Sequence, residues 1–385
     1  MPIYDRASGK EYVAHILEDT GVRNKKYDTD LDGLIDELAS HTHTRDEITD
    51  LWNSPFWGNI PDKPSFFSPK IFAKKRFIFK LPDLSSGYTI IREAEADSSG
   101  YWVGAPYVFY DPETGEFWMT YRWRNPDNRG YKSVIAKSTD GINFTDYKEI
   151  LKGDLGANSL EKGCLVRDPI TGKYRYYICF DDGTGWDIWK LDDVDDPANL
   201  DPSTKTKVLA RGASGEWDDK YAKDPAVFYY GGLWLMLYVG ENDANDVEQS
   251  GLAYSPDGVN WTKYSNNPII EVGSSGAWDD RYAKVTTMLQ FFNAWLLIYS
   301  GRYKATEGAT DQDWSQGLAV WIPQIGSKPV KITKDNYLSG TYSTEYLDIV
   351  IVDEDVYIYY QKINSDLSMD LVVKKVKLSD IITIV

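Results

Sequence analysis

The fold is decided by a stretch that occurs twice in the chain: residues 215–223 read GEWDDKYAK, and residues 276–284 read GAWDDRYAK. Seven of the nine positions are identical, and Trp217 and Trp278 lie 61 positions apart. Each copy runs into an apolar segment, a short turn and a second apolar segment, which is typical of a β-hairpin. Self-similarity at a fixed period indicates a repeat architecture.

Three further hairpins continue this period of about 60 residues, with the turns DPETGE, DPITGK and DED at 111–116, 168–173 and 353–355. A second match relates IAKSTDGINF at 135–144 to LAYSPDGVNW at 252–261, and its Asp-Gly pair is typical of a tight turn between outer strands. The pattern predicts an all-β fold, a five-bladed β-propeller over residues 66–385. Two segments, 76–81 and 88–91, are expected to be strands, one of them completing the last blade.

Residues 1–65 do not follow the repeat, and they are predicted to form an extension with two short helices (11–18 and 34–40) and an aromatic-rich arm. Between the helices the sequence DTDLDGLID at 28–36 resembles a calcium-binding loop. Its predicted metal ligands are Asp28, Asp30, Asp32 and Asp36. Position 12 of such a loop is Ala39, where a bidentate carboxylate is needed, so the pattern favours an acidic turn that caps the second helix, with Ca²⁺ as the alternative.

Composition narrows the classes of partner. The formal net charge of −17 argues against nucleic acid, which selects a basic surface. No stretch approaches the roughly 18 apolar residues of a membrane span, and no signal-peptide core is present, so both a cytoplasmic and an exported protein stay open. Aromatic residues make up 14% of the chain, enough to supply stacking surfaces for sugars. The two cysteines, Cys164 and Cys179, are expected to be buried free thiols.

Candidate catalytic residues lie where the innermost strand of each blade begins, because these ends meet at one central cavity. The segments there place Glu161, Asp224 and Glu345 near that cavity, with Lys162, Lys223 and Lys284 alongside. Converging carboxylates suit glycoside hydrolysis, since crowding raises the pKa of one of them and makes it a proton donor. Taken singly, each acid also suits a structural role, such as an ion pair of Glu161 with Lys162 or Arg167.

The repeat pattern over residues 100–362 resembles the five-bladed propellers of the arabinanase, levansucrase and invertase type, glycoside hydrolase families 32, 43 and 130. Asp224-Pro225 matches the Asp-Pro signature of these enzymes, and Glu161-Lys162-Gly163 is similar to their Glu-x-Pro acid. The pattern departs from theirs on the first blade, where 104–106 read GAP without an acid, and Glu precedes Asp along the chain. If Glu161 is the acid, the ring order puts the base on the fifth blade, near Glu345.

The resemblance implies a glycosidase, family 43-like, that acts on an oligo- or polysaccharide and requires no cofactor. Two alternatives stay open: a phosphorylase that uses inorganic phosphate, and a non-catalytic sugar-binding propeller. The residues expected to bind substrate are basic or aromatic side chains around the cavity: Trp102, Arg122, Arg124, Lys162, Lys223, Tyr282, Lys284 and Arg302.

Overall fold

The computed structural model describes residues 77–244, 246–291, 294–303, 314–321, 328–332 and 344–384. The predicted all-β class is confirmed, since nearly all regular structure is β-strand. Twenty-two strands occur in these ranges: β1 Phe77–Phe79, β2 Thr89–Arg92, β3 Trp102–Asp111, β4 Glu116–Arg124, β5 Lys132–Ser138, β6 Thr145–Leu151, β7 Ser159–Arg167, β8 Tyr174–Asp181, β9 Trp186–Lys190, β10 Thr206–Leu209, β11 Tyr221–Tyr230, β12 Leu233–Asn242, β13 Val247–Ser255, β14 Thr262–Lys263, β15 Tyr282–Phe291, β16 Ala294–Arg302, β17 Trp314–Trp321, β18 Val330–Lys331, β19 Thr344–Val352, β20 Asp355–Ile363, β21 Met369–Lys377 and β22 Ile382–Ile384. Short 3₁₀ helices span Pro197–Asn199 and Pro202–Thr204, and helix α1 spans Leu378–Ile381.

The strands pair antiparallel in five groups of four. Units 1 to 4 are consecutive along the chain: β3–β6, β7–β10, β11–β14 and β15–β18. Unit 5 consists of β19, β20 and β21, and β2 from the N-terminal side of unit 1 pairs with β21 as its fourth strand. The predicted strand at 88–91 therefore completes the last unit. The other predicted strand corresponds to β1, which pairs with β22.

The repeated stretch ends in the first hairpins of units 3 and 4, as the period predicts. The two Asp-Gly turns join third and fourth strands, and their geometry is that of plain turns. Asp257 Oδ1 accepts the backbone N–H groups of Val259 and Asn260, both at 2.8 Å, and Asp140 accepts the corresponding groups in unit 1. These bonds fix the turn without any ligand.

The first strands of the units contact one another in the order β3, β7, β11, β15, β19 and back to β3. Tyr107 on β3 donates to the carbonyl of Val227 on β11 at 2.6 Å, and the N–H of Val227 donates to Cys164 Sγ on β7 at 3.3 Å. Both cysteines are free and buried, as predicted. Aromatic residues fill the space between units 3 and 4: Trp295 on β16 meets Phe228 and Tyr230 on β11 edge to face, and such contacts add to area burial.

The sequence predicted that the first strands begin near Pro106, Gly163, Asp224, Val285 and Glu345. They start one to four residues sooner, at Trp102, Ser159, Tyr221, Tyr282 and Thr344. The reason is that each ladder continues across a β-bulge, so the residues taken for strand starts lie at or beside the bulges.

The two predicted helices, the aromatic arm and the calcium-type loop Asp28–Asp36 lie outside the described residues, as does the boundary at residue 66. Of the helices within the described ranges, none has the length and apolar character needed to cross a membrane.

A buried carboxylate ties three first strands together, and its replacement is expected to destabilise the protein. Asp348 on β19 accepts the N–H of Val108 on β3 and the hydroxyl of Thr287 on β15, both at 2.7 Å. In Asp348→Asn an amide N–H group replaces one acceptor, and we expect the free energy of unfolding to fall by about 1–3 kcal/mol in urea denaturation. Asp353→Asn, in an exposed turn of the same unit, is the matched control and should unfold like wild type.

Candidate active site

The bulges in the first strands lie where the predicted catalytic residues occur. Three bulge residues, Ala105, Asp224 and Tyr346, have left-handed backbones with φ of 53°, 55° and 54°. Such a conformation is uncommon for residues other than glycine, and it breaks the alternation of side chains along the strand. The bulges therefore change the direction in which these side chains leave the strand, so that they can approach neighbouring units.

Glu161, on β7, is surrounded by arginines from unit 1. Arg122 Nε lies 2.6 Å from Glu161 Oε2, while Arg129 Nη2 and Arg124 Nη1 lie 3.7 and 4.0 Å from Oε1. Burial alone would raise the pKa of Glu161, but the three guanidinium groups outweigh it and lower the pKa to about 2. Glu161 is therefore a permanent carboxylate at neutral pH and holds no proton to donate.

Asp224, on β11, has uncharged hydrogen-bonding partners instead. Tyr346 on β19 donates its hydroxyl to Asp224 Oδ2 at 3.2 Å, and the Cys179 thiol lies 3.9 Å from Oδ1. Burial raises the pKa of Asp224, with Lys223 and Lys284 opposing it and Glu161 reinforcing it. Of the acids predicted as catalytic, Asp224 has the surroundings that most favour the protonated form of its carboxyl group.

Glu345, also on β19, ends a chain of alternating charges that crosses units 3 to 5. Lys223 donates to Glu248 at 2.6 Å, and Lys284 lies 3.5 Å from Glu248 and 2.6 Å from Glu345. Burial raises the pKa of Glu345, against Lys284 and Arg122. Glu248 has a lowered pKa in spite of its burial because both lysines face it.

Tyr346 connects these groups. Arg122 lies 5.9 Å and Lys284 Nζ 4.5 Å from the centre of its ring, and its hydroxyl reaches Asp224. Contacts among the predicted acids and their partners thus link all five units. Tyr346 was not predicted from the sequence, although it occupies the bulge position that Asp224 occupies in unit 3. By the same registers Glu345 corresponds to Lys223, so it is not the counterpart of Asp224.

Two further residues were missed. Glu248 lies on β13, a third strand, whereas the acids predicted from the sequence all stand at the starts of first strands. Gln361, opposite Glu345 on β20, donates to Glu345 Oε2 at 3.3 Å. The hairpin register places Gln361 opposite Glu345, but the hydrogen bond between their side chains could not be predicted from the sequence.

The remaining predicted residues surround this network. Lys162 is buried and donates to the carbonyl of Thr286 on β15 at 3.3 Å. Trp102 lies beneath Arg124, whose guanidinium carbon is 3.9 Å from the ring centre. Tyr282 stacks on Trp314 at 5.2 Å, and Arg302 lies 5.8 Å from the Tyr282 ring. One face of each predicted stacking ring is therefore covered by protein.

No protein-family model matches the chain, and no curated protein matches it in sequence. Solved structures do match. A complex of BT0996 with RGII has a TM-score of 0.56 at 16% identity, over 78% of this protein and 92% of that one. A thermostable family-43 glycoside hydrolase has a TM-score of 0.55 at 15% identity, over 73% and 92%. A β-1,2-mannobiose phosphorylase from Listeria innocua has a TM-score of 0.50 at 14% identity, over 79% and 95%.

At these identities the similarity establishes the fold alone. The resemblance to propeller glycoside hydrolases predicted from the sequence is confirmed at that level.

Proposed function

We propose that the five units are the blades of a closed five-bladed β-propeller and that the protein is a glycosidase. Its substrate would be an oligo- or polysaccharide bound where the first strands begin. Contacts that run from β3 round to β19 and back support the ring, and the fold of a family-43 enzyme and of a protein in complex with RGII supports the activity. The observation that carries the proposal is a pair of buried carboxyl groups, Asp224 and Glu345, of which Asp224 accepts the hydroxyl of Tyr346, the residue next to Glu345 on β19.

Asp224 is the proton donor in this proposal. Glycoside cleavage needs one carboxylic acid that keeps its proton near working pH and protonates the leaving oxygen. Asp224 has burial and the negative charge of Glu161 to hold its proton, whereas the arginines around Glu161 remove that capacity from Glu161.

Glu345 is the second carboxylate. Its contact with Lys284 at 2.6 Å favours the ionised form that a base or a nucleophile requires. Glu161 would then act electrostatically, by keeping Arg122 in place and raising the pKa of Asp224. These roles differ from the order of acids in the resembling families, since the first unit has Ala105 at its bulge.

A phosphorylase is the second candidate, favoured by the arginines around Glu161 and by the phosphorylase among the similar folds. Incubation of the wild-type protein with a panel of plant and microbial polysaccharides, with and without inorganic phosphate, separates the two. A hydrolase releases free reducing sugar without phosphate, and a phosphorylase releases sugar 1-phosphate only with it. Sugar binding without either product over days would instead identify a non-catalytic module.

Tyr346→Phe tests the coupling of Tyr346 to the acid. The hydroxyl stabilises the Asp224 carboxylate, so its loss should raise the pKa of Asp224 further. Because Asp224 acts in its protonated form, the alkaline limb of the kcat/KM profile is expected to move to higher pH. Tyr254→Phe, at an outer, exposed position of unit 3, is the control and should leave the limb in place. A limb that stays fixed or moves to lower pH in Tyr346→Phe would contradict the assignment.

A further inference from the structure

Arg122, Arg124 and Arg129, here called the arginine triad, share one carboxylate. All three approach Glu161, at 2.6 to 4.0 Å. Among the residues that the structure describes, three positive charges against one negative charge leave an excess of two on this side of the site. The lysines across the site have no such excess, because Lys223 and Lys284 alternate with Glu248 and Glu345.

The triad runs from the interior to the surface. The side chain of Arg122 is 2% exposed, that of Arg124 22% and that of Arg129 56%. Within the described residues Arg122 Nη1 is buried and has no hydrogen-bonding partner. A buried charged donor left without an acceptor is rare, and it suggests that a ligand group supplies one.

The triad is held in position before any ligand binds. Arg122 and Arg124 are two residues apart on β4, so they point to the same side of the strand. Arg124 rests on Trp102, and Arg129 precedes a glycine with φ of +48° whose carbonyl accepts the N–H of Leu160 at 2.8 Å. A Cβ atom on Gly130 would come within 2.0 Å of the Leu160 carbonyl, so this close approach requires glycine.

We propose that the arginine triad binds a carboxylate of the substrate, so that the saccharide contains a uronic acid. The inference rests on the proposed function and adds its substrate class. Paired guanidinium groups match the two oxygens of a carboxylate. The half-buried ring of Trp102 beside them suits the apolar face of the sugar that carries it. An excess of two charges also matches a phosphate dianion, so inorganic phosphate is the competing ligand to be tested.

Calorimetric titration of the full chain tests the proposal. The probes are oligogalacturonides and oligoglucuronides, the same oligosaccharides with their carboxyl groups reduced to alcohols, and inorganic phosphate. We expect at least one acidic probe to bind tenfold or more tightly than its reduced counterpart. The preference should shrink as salt is raised, because part of the triad is exposed.

Arg129→Gln should remove most of this preference while leaving the affinity for the reduced probe unchanged. The matched control is Arg167→Gln, which makes the same charge change at the far end of β7, where Arg167 pairs with Asp111. It should bind like wild type, and chemical denaturation should show that both variants are folded.

Equal affinity for acidic and reduced probes, a preference that survives Arg129→Gln, or failure of every acidic probe to bind would overturn the inference. Arg129-dependent binding of phosphate without any preference for acidic sugars would assign the triad to phosphate instead. Hydrolysis of neutral sugars without acidic preference would refute this inference and leave the glycosidase standing. Arg129-dependent binding of acidic sugars without turnover would support the uronic acid inference and refute the glycosidase.

Discussion

Replacement of Asp224 by asparagine is expected to lower kcat for the identified glycan by about 10²–10⁴-fold, the usual contribution of a positioned proton donor. The amide has nearly the shape of the carboxyl group and can accept from Tyr346, but it cannot give a proton to the leaving oxygen. Burial raises the pKa of Asp224 because it penalises the charged form, so a neutral amide of nearly the same shape should preserve the fold. Initial rates at saturating substrate measure the effect.

Asp243→Asn is the control for this variant, since it lies in an exposed turn of the same unit. It should turn over substrate at the wild-type rate. Turnover by Asp224→Asn within threefold of wild type would show that the carboxyl group of Asp224 is structural.

Arg122→Met is expected to cost about 3–5 kcal/mol of unfolding free energy, because it leaves the buried carboxylate of Glu161 without its closest cation. Glu161 has a lowered pKa, so its stabilising contribution is present above the ordinary glutamate pKa and is lost as the pH falls toward about 2. In Arg122→Met the loss of unfolding free energy between pH 7 and pH 3.5 should be smaller than in wild type. Urea denaturation at pH 7 and at pH 3.5 measures both effects.

The double variant Arg122→Met, Glu161→Met provides the comparison. Removing both charges should recover part of the lost stability, since a buried pair replaced by apolar residues is often tolerated. A single variant as stable as wild type would mean that the pair contributes nothing to the fold.

The repeat carried most of the fold prediction. Trp217 and Trp278 recur at one period because each precedes the same first hairpin, and the turn chemistry of the Asp-Gly pairs is local. Local signals were enough to predict an all-β fold and to place the first hairpins. They did not show the β-bulges, because a bulge depends on pairing with the next strand, and the strand starts were therefore placed one to four residues late.

The sequence predicted which residues form the site better than it predicted which of them contact one another. Residues 161, 224 and 345 stand at strand starts, where the topology brings them together, but the cation beside each depends on contacts between units. Arg122 was predicted to bind substrate, but its 2.6 Å contact with Glu161 across β4 and β7 could not be seen in the sequence. Tyr346 was missed because an aromatic residue in a strand has the same pattern as a core residue, and its hydroxyl gains meaning only opposite Asp224.

Varying the leaving group distinguishes a general acid at Asp224 from a structural carboxyl group. Aryl glycosides of the sugar found in the screen are compared, one series with phenols of high pKa and one with dinitrophenol, which departs without protonation. If Asp224 is the general acid, Asp224→Asn should lose about 10²–10⁴-fold in rate on the former and little on the latter. An equal loss on both series would contradict it.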